Sequence, residues 1–439
     1  MQTPDQALND RQNHDSRPQQ KRRVQCEQMG IIQISQELKS KLLVEYSQAL
    51  KSKMAPLAWL DLVAFEKNMD WISQQSHSKK IRIGSKSLRS RWVMETILKR
   101  SPIFKGILAM SIPEAVWLFE KGLNDFLVAY PTAQSADFRG LAQAVKNGAQ
   151  ITLMADRPEH LDLIQYYANS ESLNLRVAID LDVSSDFGPL HFGVYRSSIK
   201  TVDDLSALLA LRKQWPRVEW VGLMAYEAQL AGVPDFYSNT LTNTLKGWAV
   251  QHLKRRSKSQ VLERRQEAVA CLRNHDVELE FVNGGGTGSL AWTSQDPSIT
   301  EVTVGSGFYA PVLFDSFRDL TLQPSLGFAL RVSRRPQNGV ITCNGGGYPA
   351  SGSAGSDRLP TPYLPSNLEL LSLEGAGEVQ TPVRYQTPNE SQIHLGDLIF
   401  FRHPKAGELC ERFSSLQLIR DGQWIQETPT YRGEGQQWM

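Results

Sequence analysis

The strongest constraint in this chain is a rhythm: eight apolar runs of strand length, separated by stretches with helical spacing. They read IRIG (81–84), GILA (106–109), FLVA (126–129), ITLM (151–154), LRVAIDL (175–181), WVGLMAY (220–226), ELEFV (278–282) and EVTVG (301–305). Short strands that are apolar on both faces and separated by helices belong to parallel β-α units, whose sheet is covered on both sides. Eight units are what closes a (β/α)8 barrel, and the interval from 81 to about 320 has the length of one. An open, doubly wound sheet alternates in the same way, so the rhythm gives an α/β class with a TIM-like barrel expected and leaves the open sheet as the alternative.

After Pro324 the rhythm stops, giving way to β-branched runs and turns rich in Pro and Gly, such as GGGYPASGSAGSDRLPTPYLP (345–365). A C-terminal β domain over 324–439 is expected. The run PLAWLDL (56–62) is one strand too many for the barrel, so it is expected to pair with that sheet. Ahead of it, Ile32, Leu38, Leu42, Leu43, Tyr46 and Leu50 recur at helical spacing. Residues 1–29 carry almost no large apolar side chains and cannot offset the entropy of ordering, so a disordered tail is expected there, followed by a barrel over 30–323.

Charge narrows the partner. The 48 basic and 46 acidic residues nearly cancel, and after residue 30 no long basic block appears. Nucleic acid and membrane surfaces therefore have little compositional support, and a small molecule is the expected partner. Lys21, Arg22 and Arg23 read as a solvated cluster. No apolar run approaches the ~18 residues of a membrane helix, and the N-terminus lacks the apolar core of a signal peptide. Four scattered cysteines with no C-x-x-C pair suit a reducing compartment, and a cytoplasmic location is expected.

Two features carry chemistry. In a parallel barrel the active site lies where strands end, and Lys86 falls just past the end of the first counted strand, in KKIRIGSKSLRS (79–90). A partly desolvated lysine there can offer a neutral amine to a carbonyl, whereas position alone favours an ordinary solvent-facing loop lysine. The second feature is FVNGGGTGSL (281–290), where a buried strand runs into Gly284, Gly285, Gly286, Thr287 and Gly288. Such a turn lets backbone N–H groups approach an anion closely, and Thr287 adds a hydroxyl. It follows the seventh counted strand, and GSGFYAP (305–311) follows the eighth, the loops where barrels commonly hold phosphate. Gly286, Gly288 and Ala291 also satisfy G-x-G-x-x-A, but no acidic residue is clearly placed for a ribose. A lysine and a phosphate site facing each other across one mouth match pyridoxal 5'-phosphate, whose aldehyde joins an amine while its phosphate is anchored separately.

These residues carry a resemblance. PLAWLDLVAFEKNM, IRIGSKS, VGLMAYEAQLAG, FVNGGGTGS and VTVGSGFYAPVLFD, in that order over roughly residues 55 to 415, resemble the fold-type III, alanine racemase-like pyridoxal-phosphate enzymes, in the D-threonine aldolase and D-serine dehydratase branch. The resemblance implies that Lys86 is the Schiff-base lysine, that Gly285, Gly286 and Thr287 form the phosphate loop, and that Gly305, Ser306 and Tyr309 form a second phosphate-contacting segment. Relatives write that segment Gly-Ser-Tyr, without the two extra residues found here. They also present the lysine within Arg-Pro-His-x-Lys-Thr, where this chain has RIGSKS. Where alanine racemases place an arginine after the fifth strand, FGPLHFGVYRS leaves His191 as the polar candidate, and Tyr226 is a candidate for the cofactor ring, with core packing as its alternative.

The branch implies a divalent metal held by a His-x-Cys or His-x-Asp pair in the β domain. FFRHPKAGELCERF offers His403 at the matching place, but the second position is Lys405, which while protonated is no ligand, and Cys410 lies seven residues on. Glu408 is a further oxygen donor nearby. His403 with Cys410 would suit zinc, and His403 with a carboxylate and water would suit manganese or magnesium. Without a metal, a His403 titrating near neutrality is expected to act as the general base. The implied activity is a lyase on β-hydroxy D-amino acids, either aldolase or dehydratase, in a homodimer. The alternatives are a racemase, with Tyr348 or Tyr363 as its second base, and a non-catalytic pyridoxal-phosphate carrier.

Overall fold

The computed structural model describes residues 35–235, 241–353, 355–385 and 393–438. The tail over 1–29 and its basic cluster lie outside the described residues. Nineteen strands appear in these segments. The first six are β1 (Leu57–Asp61), β2 (Lys80–Gly84), β3 (Phe104–Ala109), β4 (Phe126–Val128), β5 (Ile151–Ala155) and β6 (Leu175–Asp180). A hairpin of β7 (Ser185–Phe187) and β8 (Leu190–Phe192) follows, then β9 (Val218–Met224), β10 (Phe281–Gly284) and β11 (Glu301–Val304). The remainder are β12 (Leu326–Gln337), β13 (Val340–Asn344), β14 (Thr361–Leu364), β15 (Leu368–Leu370), β16 (Gln380–Tyr385), β17 (Leu398–Arg402), β18 (Ser415–Arg420) and β19 (Gln423–Pro429).

Strands β2, β3, β4, β5, β6, β9, β10 and β11 form a closed barrel of parallel strands, with β11 pairing back onto β2 through Glu301–Lys80 to Val304–Ile83. All eight apolar runs lie on barrel strands, and closure rules out the open sheet. Alternation along each strand separates two sets of side chains. Phe126, Leu153, Val177 and Val282 join the large core, while their neighbours Leu127, Met154, Ala178 and Phe281 form a separate small cluster. On the same face as the small cluster, Arg82 ion-pairs with Glu301 at 2.7 Å and Asp125 at 2.9 Å. Gly106, in the left-handed region at φ 73°, is needed there because a Cβ would sit 2.4 Å from the Arg82 guanidinium.

The extra strand pairs where the sequence places it. β1 is antiparallel to β12 and parallel to β18, so it lies inside the nine-stranded second sheet and is buried along its whole length. The chain then enters the barrel through the helix Leu62–Gln75, capped by the Asp61 carboxylate on the Val63 and Ala64 amides. The second sheet returns to the barrel at the turn after β2. Tyr309 donates to the Leu88 carbonyl at 2.9 Å, the Tyr431 amide donates to the Arg89 carbonyl at 2.8 Å, and Arg89 pairs with Glu411 at 2.8 Å. No helix among the described residues is long and apolar enough to cross a membrane.

Candidate active site

β2 ends at Gly84 and the chain makes one 3-10 turn, Ser85–Ser87, that lifts the Lys86 side chain to an exposed position at the C-terminal end of the barrel. The turn is fixed from three directions. A Cβ on Gly305 would sit 2.8 Å from Ser87, so the loop after β11 lies against it. The Ser85 hydroxyl donates to the Leu108 carbonyl at 3.1 Å. From the second sheet, Gly407, at φ 92°, packs so closely that a Cβ would meet the Lys86 carbonyl oxygen at 2.2 Å.

The Lys86 ammonium donates to the Tyr130 hydroxyl at 3.2 Å. Tyr130 follows the end of β4, and the Arg196 guanidinium lies over its ring at 5.8 Å and over the Tyr226 ring at 5.0 Å. Tyr226 follows β9 and borders the glycine turn: a Cβ on Gly286 would come within 3.2 Å of its ring and 2.9 Å of Ala231. A continuous line of groups therefore runs from Lys86 through Tyr130, Arg196 and Tyr226 to Gly286. Beside it, burial pushes the Asp180 carboxyl up to about 7, an effect that Arg196 opposes and that Asp156 and Asp182 reinforce.

The glycine turn is held from below. Gly285 takes φ 84°, and its amide donates to Glu227 at 3.0 Å, while the Gly286 amide donates to the Ser289 hydroxyl at 3.2 Å. Glu227 also accepts from the hydroxyls of Ser289, at 2.6 Å, and Thr293, and it is ion-paired with Arg265. Arg265 in turn reaches Asp296 at 3.1 Å and the Ala225 carbonyl at 2.7 Å. All three charged side chains are fully buried. Burial would raise the Glu227 carboxyl, but Arg265 and the two hydroxyls outweigh it and hold the group below its usual range. The expected cradle is thus corrected in one respect: the amides of Gly285 and Gly286 serve the turn's own structure. The Thr287 hydroxyl accepts from the Gly307 amide at 3.0 Å and ties this turn to the one after β11, where Ser306 is half-buried.

Other expected residues fall elsewhere. Tyr309 is fully buried, with its hydroxyl on Leu88 and hydrogen-bonded to Cys410, so it joins the two sheets structurally. His191 lies on β8, its Nδ1 2.8 Å from Asp186 and its ring stacked at 4.1 Å on Tyr195. The residue of that segment that reaches the aromatic line is Arg196. Tyr363 stacks on Trp59 and Tyr348 meets Phe328 and Phe413 edge-on, both as packing residues of the second sheet.

The two residues expected as a metal pair each meet other partners. Burial, then Arg402, pushes His403 down to about 3, and its Nδ1 lies 3.1 Å from the Leu326 carbonyl oxygen. The ring is therefore neutral near pH 7 and unsuited to moving a proton there, leaving a buried Nε2 without a partner. Burial pushes the Cys410 thiol up to about 12, and its hydrogen bond goes to Tyr309. Among the described residues, no group of three His, Cys, Asp or Glu side chains could hold a metal ion.

Sequence reading missed Tyr130, Arg196, Glu227 and Arg265. Tyr130 was accessible, since it directly follows a strand end, and Arg196 stood within a stretch already singled out. Arg265, in the middle of the helix Leu241–Asn274, gave no signal.

For pyridoxal phosphate the donor set fits. A lysine amine stands at one end of an aromatic line, and a glycine turn with no room for side chains at the other, with the hydroxyls of Thr287 and Ser306 beside it. A closed barrel carrying this arrangement, locked to a second sheet, defines the fold-type III pyridoxal-phosphate class. The chain belongs to the family of the alanine racemase N-terminal domain, whose model matches residues 60–311. It is similar to 3-hydroxy-D-aspartate aldolase of Paracoccus denitrificans (strain Pd 1222), 22% identical over 252 residues, which are 57% of this chain and 59% of that protein. Among solved structures it resembles D-threonine aldolase from Filomicrobium marinum, with TM-score 0.71 and 17% identity over 87% of this chain and 95% of that one. It also resembles D-threo-3-hydroxyaspartate dehydratase from Delftia sp. HT23, with TM-score 0.68 and 16% identity over 89% and 100%. An enzyme of that name is also solved as a histidine-to-alanine variant and as a cysteine-to-alanine variant in a metal-free form.

Proposed function

We propose that this chain is a pyridoxal-phosphate-dependent lyase of β-hydroxy D-amino acids, cleaving Cα–Cβ or eliminating water. The observation that carries this reading is the meeting of three loops: Gly305 lies against Ser87 beside Lys86, and Thr287 is tied to Gly307. The Lys86 turn and the glycine turn thereby border one mouth. When bound, the cofactor supplies the electron sink for the pair left at Cα.

The chain's own residues divide the work. Lys86 holds the cofactor covalently. Thr287 and Ser306 meet the phosphate, with Gly285, Gly286 and Gly305 giving the backbone room to approach. Tyr226 flanks the ring, and Arg196 places a fixed positive charge between the Tyr130 and Tyr226 rings, against which an anionic ligand is oriented. Tyr130 offers a hydroxyl to the amine and positions it. His403, neutral, offers Nε2 as an acceptor.

In this reading residues 30–323 bind the cofactor and 324–439 form the cap, with β1 lent to the cap's sheet. A homodimer is the expected assembly, and the exposed Leu190, Tyr195, Leu245 and Trp248 are large apolar side chains for it to cover. Cys271, Cys343 and Cys410 are buried and free, which suits a reducing compartment such as the cytoplasm. The test is to load purified protein with pyridoxal phosphate and supply D-threonine, D-serine and 3-hydroxy-D-aspartate beside their L-enantiomers. Release of an aldehyde or keto acid from the D-forms is expected. Interconversion of enantiomers would instead mark a racemase, and a bound cofactor without turnover a carrier.

A further inference from the structure

The segment after β17 brings a second lysine to the mouth. Lys405 lies two residues before Gly407, which rests on the Lys86 carbonyl, and the segment is anchored again by the Arg89–Glu411 pair at 2.8 Å. Its position is therefore set by the same contacts that fix the Lys86 turn. The side chain is half-buried, and its ammonium donates one long hydrogen bond, 3.4 Å, to the Ser351 carbonyl. No carboxylate pairs with it among the described residues. The acid next in sequence, Glu408, accepts from the Ser351 amide at 2.7 Å and from the Ser351 hydroxyl. The charges acting on Lys405 are those of Glu408, Arg358, Lys86 and Asp357.

A half-buried cation without an ion-pair partner, near enough to the proposed cofactor lysine to feel its charge, is a site for oxygen carrying negative charge. The donor set for a metal, by contrast, does not assemble: Cys410 is tied to Tyr309, and His403 is a single nitrogen donor. A similar solved dehydratase is described in a metal-free form, so a metal-bound form is the implied alternative there.

We propose that in this chain the Lys405 ammonium takes the place of a divalent cation, donating hydrogen bonds to the oxygen on Cβ of the substrate, and that the enzyme works without a metal ion. This rests on the reading of Lys86 as the cofactor lysine. Lys405 undergoes no covalent change. It orients the Cβ–O bond and carries charge that develops on that oxygen.

The experiment measures the metal content of the purified, cofactor-loaded protein by mass spectrometry of the elements, and lyase turnover with and without chelator, for the wild type, Lys405→Met and Lys405→Arg. Substoichiometric metal, no effect of chelator and a loss of roughly 100-fold in kcat for Lys405→Met are expected, with the cofactor absorbance unchanged and Lys405→Arg partly restored. One metal ion per chain whose removal abolishes turnover would overturn the proposal, as would a fully active Lys405→Met. Absence of cofactor absorbance in the wild type would overturn the parent reading instead, and this inference with it.

Discussion

The two sides of the mouth are built by opposite means. On the glycine-turn side, Glu227, Arg265 and Asp296 form a fully buried charged network that takes up the Gly285 amide and the hydroxyls of Ser289 and Thr293. On the cap side, one ion pair, Arg89 with Glu411 at 2.8 Å, holds the stretch after Lys86, and the other contacts there are neutral: Tyr309 bonds Leu88 and Cys410, and the Tyr431 amide donates to the Arg89 carbonyl. Buried charges have few satisfactory arrangements, so the first side is held in a single geometry whose disruption is costly. Neutral contacts fail by smaller steps. In the proposed reading, the turn that meets the phosphate sits on the charged side, and the segment packed on the Lys86 carbonyl sits on the other.

Glu227→Gln breaks this contrast most severely. It leaves Arg265 buried with only Asp296, so a loss of about 3–5 kcal/mol in unfolding free energy is expected, together with weaker cofactor binding. Chemical denaturation and cofactor titration check both, and a variant as stable as the wild type would show that the network is dispensable.

pH separates the sides next. Asp180, raised to about 7 from 3.8, stays protonated in the native state while the unfolded chain has released its proton, so stability from this group falls as pH rises from about 4 to 7. His403, lowered to about 3 from 6.5, stays neutral while the unfolded chain takes up a proton, so stability is lost as pH falls from 6.5 to 3. Melting temperatures measured across pH 4 to 8 should show Asp180→Asn gaining on the wild type as pH rises, levelling above about 7. His403→Gln should gain as pH falls below 6.5. Parallel curves for all three proteins would contradict both assignments.

The smallest effect is expected on the cap side. Tyr309→Phe removes the hydrogen bond to Leu88 and costs about 1–2 kcal/mol, with cofactor affinity unchanged. A loss as large as that of Glu227→Gln would erase the distinction between the two sides.

What is legible in the sequence depends on where each signal resides. The barrel strands were legible because both of their faces are buried, which makes each a compact apolar run. β1 was legible as the strand left over, and Gly285 and Gly286 because a conformation and a close approach demand glycine. The network beneath them was hidden, since Glu227 and Arg265 lie 38 residues apart, and nothing in the motif around Glu227 points to a partner in a distant helix. Tyr309 matched a motif yet serves the core, buried with its hydroxyl on the Leu88 carbonyl. The environment of His403 was hidden for a different reason: burial, and then Arg402, lower its basicity, and sequence displays neither.

The central claim is that Lys86 bonds the cofactor. Borohydride reduction of the cofactor-loaded protein, followed by digestion and peptide mass spectrometry, tests it most directly. A phosphopyridoxyl label on the peptide containing Lys86, lost in Lys86→Ala, is the predicted result. Label confined to Lys405 or another lysine, or no label at all, would contradict it.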